Sequence, residues 1–376
     1  MEAALALGMT GGLAFRRVVL PQAGGHGRRL PDLRRVQTLP QAQGSVGAAE
    51  RHGLSMGVGR GRASAAALTL AVLHCLGGCI SVPQSDALRA SAPRDLPPRI
   101  ELTEVPFHRQ DDYLCGPAAL AMVFNAAGVQ ADVDSLTPMV YLPGRQGSLQ
   151  AEMLGATRRS GLLAYTLAPK LEDLLRELAA GTPVVVLVNF SFKAAPVWHY
   201  AVVVGYDLDK GELIVRSAGR SRDPWSFSFL EFFWQDSNYW SMLALPPGRL
   251  PATAREPDYA AAAAALEQAG KPREARDAYR ALLARWPENL LGLIGLGNVE
   301  YALKDRAAAE RAFRRASEAH PQSAAALNNL AHVLTESGRL PEAEQAARRA
   351  VELGGPAQAE AQKTLDAVLK QRAAPR

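Results

Sequence analysis

A fixed offset near the C-terminus leaves this chain little freedom there. Ala275, Tyr279 and Pro287 are matched by Ala309, Phe313 and Pro321, each pair 34 residues apart. Ala343 and Ala350 continue the register opposite Ala309 and Ala316, and Leu296-Gly297 is matched by Leu330-Ala331. A unit of this size cannot bury its own apolar face, so successive units must stack. Small residues at fixed places let paired helices approach, and the proline ends the second helix of each pair. Three repeats are predicted, at about 256–289, 290–323 and 324–357, with a last helix from Ala357 to Gln371. The third repeat departs at its end, where Gly355 holds the proline position and Pro356 comes one residue late.

A second stretch, Gln110 to Phe124, reads Gln-Asp-Asp-Tyr-Leu-Cys-Gly-Pro-Ala-Ala-Leu-Ala-Met-Val-Phe. Pro117 fits only the first turn of a helix, because it lacks an N–H and its ring clashes with a preceding turn. Cys115 is therefore expected at a helix mouth, where unpaired amides and the helix dipole favour thiolate. The helix is apolar nearly all round and should be buried. Further on, Val197-Trp198-His199-Tyr200 opens a β-branched strand, Asp207 to Gly211 is a turn, and Glu212 to Arg216 is the returning strand. Taken singly, Cys115 fits a packed core cysteine and His199 a packed core histidine. As a pair they are what a thiol nucleophile needs.

The blocks Gln-x4-Cys-Gly-Pro-Ala and Trp-His-Tyr-Ala-Val-Val-Val-Gly-Tyr-Asp resemble the papain-like bacteriocin-processing peptidases, which cut double-glycine leaders and form cysteine peptidase family thirty-nine. The resemblance covers about Val105 to Leu245. It implies Cys115 as nucleophile, His199 as its base, and Gln110 as an oxyanion donor acting with the Cys115 amide. The family pattern places Asp or Asn some sixteen to eighteen residues past the histidine, and Ser217 stands there. Asp207 lies eight residues along the same strand, roughly 26 Å away at about 3.3 Å per residue. A serine hydroxyl can accept from the imidazole and fix its tautomer, but it cannot balance imidazolium charge. Asp223 would serve only if its loop folds back. The 34-residue units resemble the tetratricopeptide repeat, which implies a protein partner on a concave face; the bland alternative is a capping or dimerising stack.

The formal charge of +5 misleads. Met1 to Cys79 holds nine arginines, no lysine and three acids, a net +6, which leaves −1 for the remainder. No basic face is left to argue for nucleic acid. Residues 1–55 are rich in Gly, Ala, Arg, Pro and Gln without hydrophobic period and are expected to be disordered. From Met56, a natural start for a signal, come Arg60 and Arg62, an apolar stretch at 63–78, and Leu-Gly-Gly-Cys ending at Cys79. This order resembles the lipobox of bacterial lipoproteins and implies lipidation of Cys79; a plain secretory signal or membrane anchor is the alternative. Ile80 is not the aspartate associated with inner-membrane retention, so the outer membrane, facing the periplasm, is expected. His74 and Cys75 lie inside this leader, so no metal is expected, and no cofactor motif is present. Cys75 and Cys79 thus accounted for, Cys115 is the one free thiol.

The sequence therefore predicts a leader at 1–79, a Pro- and Ser-rich tether at 80–100, and an α+β papain-like cysteine peptidase domain at 101–248. A Pro/Gly linker at 249–257, an all-α tetratricopeptide repeat solenoid at 258–357 and a terminal helix and tail at 358–376 complete it. In the peptidase-like part, helices should lie on one side of an antiparallel sheet built from Val184 to Phe190, the hairpin after His199 and Tyr239 to Leu245. The linker should be the first site of proteolysis, with the two domains separable. Three functions compete: an envelope cysteine peptidase whose repeats recruit a peptide or protein, a binding scaffold that has lost catalysis, and a cell-wall amidase or endopeptidase. The Cys-Gly-Pro-Ala block counts against the last, whose members usually carry Asp-Cys-Ser-Gly. No phosphate-binding Gly-x4-Gly-Lys-Ser/Thr loop occurs, so a fused transporter is absent from this sequence.

Overall fold

The computed structural model describes residues 81–110 and 113–374. Among these, no helix is long and apolar enough to cross a membrane. The expectations for the leader and for Cys79 lie outside the described residues.

The first part is α+β, as the sequence implies. Helix α1 (Pro83–Ala90) and strand β1 (Arg99–Glu101) precede α2 (Cys115–Ala126), α3 (Val133–Val140) and the short hairpin β2 (Tyr141–Leu142)/β3 (Gly147–Ser148). Then come α4 (Gln150–Arg159), β4 (Leu163–Thr166), α5 (Leu171–Ala179), β5 (Val184–Asn189) and β6 (Trp198–Asp207). Strands β7 (Glu212–Ser217) and β8 (Arg220–Ser226), helix α6 (Phe227–Trp234) and β9 (Ser241–Leu245) close it. The strands form one antiparallel sheet in the order β4-β9-β5-β6-β7-β8, with β1 paired to the far end of β6.

Alternation along the strands feeds two cores. Val185, Leu187, Tyr200, Val202, Val204 and Ile214 pack with α2, α3 and α4. Val184, Val186, Val188, Ala201, Val203 and Val215 pack with α5 and α6 on the other face. Helices on both faces correct the one-sided arrangement expected. The reason is the strands' composition: β5 is apolar at consecutive positions, which demands cover on both sides. Helix α2 is the centre of the first core. Gly116 to Phe124 are all buried, and Leu120, Met122, Val123 and Phe124 contribute at most about 1.5–3 kcal/mol each.

The second part is a run of helix pairs: α7 (Glu256–Gln268)/α8 (Pro272–Arg285), α9 (Leu290–Ala302)/α10 (Arg306–Ala319) and α11 (Ala324–Glu336)/α12 (Leu340–Leu353), then α13 (Gln358–Ala373). The register residues Ala275, Tyr279, Ala309, Phe313, Ala343 and Ala350 are fully buried, as close helix packing requires.

Two expectations of looseness are overturned. The stretch at 80–100 is no free tether from residue 83 on, because the N–H groups of Gln84 and Ser85 donate to the Glu231 carboxylate on α6, at 2.9 and 2.7 Å. The linker is likewise held. The amides of Ala252 and Thr253 donate to Glu177 at 3.2 and 2.8 Å, and Arg249 binds the Ala180 carbonyl and the Thr182 hydroxyl. Tyr259, Ala263, Leu266 and Tyr279 of the first repeat share one core with β4 and α5. The repeats are thus continuous with the α+β part rather than tethered to it.

Candidate active site

Cys115 is the first residue of α2, with Pro117 in the first turn. Gly116 is dictated by crowding: a methyl group there would overlap the Ser148 side chain of the β2/β3 hairpin. Alternation along β6 puts His199 on the face of Ala201 and Val203, away from α2. Its ring stacks against Phe190 at 5.5 Å between centroids. Cys115 and His199 nevertheless line one cleft, because β7 ends at Ser217 and leaves the edge of β6 open at Tyr200. There the Tyr200 N–H approaches the Cys115 sulfur, and the Tyr200 carbonyl accepts from Gln110 Nε2 at 3.1 Å.

Gln110 is fixed from three directions. Its own N–H donates to the Ala218 carbonyl at 3.0 Å, and its Oε1 accepts from the Ala218 N–H at 2.6 Å. With one Nε2 hydrogen on Tyr200, the second is left for a ligand. The Cys115 amide, in the first turn, has no intrahelical acceptor.

His199 Nε2 and Ser217 Oγ are 2.9 Å apart. Asp223 does not fold back: its oxygens take Arg220 and the Trp225 indole N–H, both at 2.9 Å. Asp207 is bound to Arg99 at the other end of β6. Ser217 is therefore the imidazole's partner, and it is buried.

Electrostatics correct one expectation. Burial pushes the Cys115 thiol up, and the N–H groups of Tyr200, Gly116 and Cys115 itself only partly oppose it. Burial pushes His199 down to about 4. Desolvation outweighs the helix mouth, so the resting pair is a neutral thiol and a neutral imidazole rather than thiolate and imidazolium.

Gln110, Cys115 and His199 line a cleft of about 590 Å³, with the hairpin residues Arg145 to Leu149 as one wall. A neighbouring hollow of about 350 Å³ shares Ser148, Leu149, Trp198 and Tyr200 and is floored by Leu187. Sequence reasoning missed Tyr200 and Ala218, which act through their backbones and leave no residue-type signal. The β2/β3 hairpin left one signal in the sequence, the glycine directly after Cys115, which marks its close approach.

Residues 102–240 match the model of the peptidase C39-like family, and residues 260–310 and 294–358 match the tetratricopeptide repeat model. Among solved structures, the chain is similar to a C39-like peptidase from Bacillus anthracis, at 18% identity over 39% of this chain and 97% of that one, TM-score 0.32. It is also similar to the type III secretion translocator chaperone of Yersinia enterocolitica, at 20% identity over 31% of this chain and 84% of that one, TM-score 0.29. Curated proteins offer no match to the chain. The protein thus carries a peptidase C39-like domain followed by tetratricopeptide repeats, a repeat type that points to binding of a protein partner.

Proposed function

We propose that this protein is a cysteine peptidase of the bacterial envelope, anchored by lipid at Cys79, whose repeats recruit a protein substrate or partner. The observation that carries the reading is the junction at Tyr200, where α2, the Gln110 amide and the β6 histidine converge on one cleft. With Nε2–H given to Ser217, His199 Nδ1 is bare and able to take the thiol proton. The sulfur then attacks the peptide carbonyl, forming a C–S bond. The oxyanion is met by the second Gln110 Nε2–H and the Cys115 N–H. Collapse expels the amine with the proton from His199, and water hydrolyses the thioester to regenerate the thiol. Ser217 supplies no negative charge to the imidazolium, so turnover is slow and rises toward alkaline pH.

A second reading, a binding scaffold with the fold but no turnover, is favoured by the same Ser217 and the neutral pair. Peptide-library hydrolysis read by mass spectrometry separates the two. The peptidase reading expects products that vanish in Cys115→Ala and fall by roughly 10²–10³ in Gln110→Ala. Absence of Cys115-dependent products from pH 6 to 9, with folded protein, leaves the scaffold.

A further inference from the structure

The hollow beside the catalytic cleft carries a charge that the mechanism does not use. The two adjoin at Ser148, Leu149, Trp198 and Tyr200, which line both. The hollow is floored by the buried Leu187, and its walls include the exposed apolar side chains of Leu149 and Trp198. Asp236 is the one ionised side chain among the described residues that line it. The cleft itself has a charged liner of the opposite sign, Arg145.

The Asp236 carboxylate is held in place. The turn that carries it, Gln235–Ser237, is pinned to β5 at the floor of the hollow, where Ser237 Oγ lies 2.7 Å from the Leu187 carbonyl oxygen. One carboxylate oxygen accepts from Asn189 Nδ2 at 2.9 Å. Asn189 is buried, and its Oδ1 accepts the N–H groups of Ser191 and Val197 at 3.2 and 2.9 Å, so the amide turns its nitrogen to Asp236. A buried amide thus fixes a carboxylate side chain that is only 15% exposed. The other oxygen has Lys193 at 3.4 Å, but that lysine is 82% exposed and does not line the hollow. A pair with so exposed a lysine contributes little and exchanges readily for another cation. We propose that the hollow is a specificity pocket for a lysine or arginine side chain of the bound peptide, with its aliphatic stem along Leu187, Leu149 and Trp198 and its cation on Asp236. An apolar hollow with one fixed carboxylate matches a side chain that is apolar along its stem and cationic at its tip. An acidic side chain would meet like charge there. This deepens the peptidase reading above and rests on it only in that a peptide occupies the cleft. The substrate class it names is a peptide with a basic residue at one fixed distance from the bond cut.

The test measures binding apart from cleavage. The full chain carrying Cys115→Ala is titrated by fluorescence anisotropy with labelled, amidated alanine-based hexapeptides in which lysine, arginine, norleucine or glutamate is moved through every position. At one position lysine and arginine should bind at least about tenfold more tightly than norleucine, which has the same stem without the charge, and glutamate should bind most weakly. Asp236→Asn, which keeps an oxygen for Asn189, should bring the lysine peptides down to the norleucine level; circular dichroism checks that it is folded. If Lys193 keeps Asp236 to itself, no position favours lysine and the proposal falls. It falls also if the preference survives Asp236→Asn. Hydrolysis by the wild-type chain separates the pocket from the peptidase reading. Lysine-dependent binding without Cys115-dependent products removes the peptidase and keeps the pocket, whereas products with no basic preference keep the peptidase and remove the pocket.

Discussion

Ser217→Asp is the change from which the site has most to gain. Ser217 Oγ stands 2.9 Å from His199 Nε2 in a buried position. A carboxylate there would face the imidazolium at about 4 Å, worth about 4 kcal/mol at an effective dielectric of 20. At about 1.4 kcal/mol per unit, that is close to three pKa units before the carboxylate's own desolvation is subtracted. His199, now held at about 4 by burial, should rise by roughly 1–3 units. The imidazolium so gained would stabilise the Cys115 thiolate in turn. Iodoacetamide alkylation of folded protein, followed by intact mass between pH 5.5 and 9, reads this directly. The rate–pH curve of Ser217→Asp should move at least about one unit to lower pH, making labelling at pH 6 roughly tenfold faster. Ser217→Asn, which orients without charge, should leave the curve in place. Superimposable curves for Asp and wild type, or an equal shift with Asn, would refute the electrostatic argument.

Three further outcomes follow from the packing. Tyr259 is fully buried in the core shared by the two parts, so Tyr259→Ala should cost about 3–5 kcal/mol by urea denaturation and unfold both parts in one transition; loss of the repeats alone counts against a shared core. A methyl at Gly297 would overlap the Phe313 ring, so Gly297→Ala should cost about 1–3 kcal/mol, and an unchanged melting temperature contradicts the tight α9/α10 packing. His199 is held at about 4 against an ordinary 6.5, so the unfolded chain binds the proton first as pH falls. Its contribution is full above about 6.5 and lost toward 4, so wild type should lose stability across that window more steeply than His199→Gln; parallel profiles would show that His199 is not desolvated.

Much of this was legible in residue types and spacing. Pro117 placed the start of α2, and the β-branched run after His199 placed β6. The spacing past His199 that the family resemblance implies pointed to Ser217. The 34-residue offset marked the small residues that helix pairs bury. What escaped depends on remote partners. Glu231 and Glu177 turn a Ser-rich stretch and a Pro/Gly stretch into docked segments by accepting backbone N–H groups, and no local pattern announces that. The neutral dyad escaped for a similar reason. The helix mouth is visible in sequence, but the burial that outweighs it is set by how α2, β6 and the hairpin close on Cys115. Cover on both sheet faces was hinted by the unbroken apolar run of β5, but the repeat helix α7 that helps complete the second core lies far along the chain.

The central claim is that Cys115 is a nucleophile served by His199, and a peptidyl acyloxymethyl ketone tests it most directly. The reagent resembles a peptide bond at its electrophilic carbon, so a merely exposed thiol reacts slowly while a catalytic one is carried through the mechanism. Intact mass of the folded protein should show one adduct at Cys115, absent in Cys115→Ala and in urea, and slowed at least about a hundredfold in His199→Ala. An adduct that forms as fast without His199, or none at all on folded protein, would contradict the account.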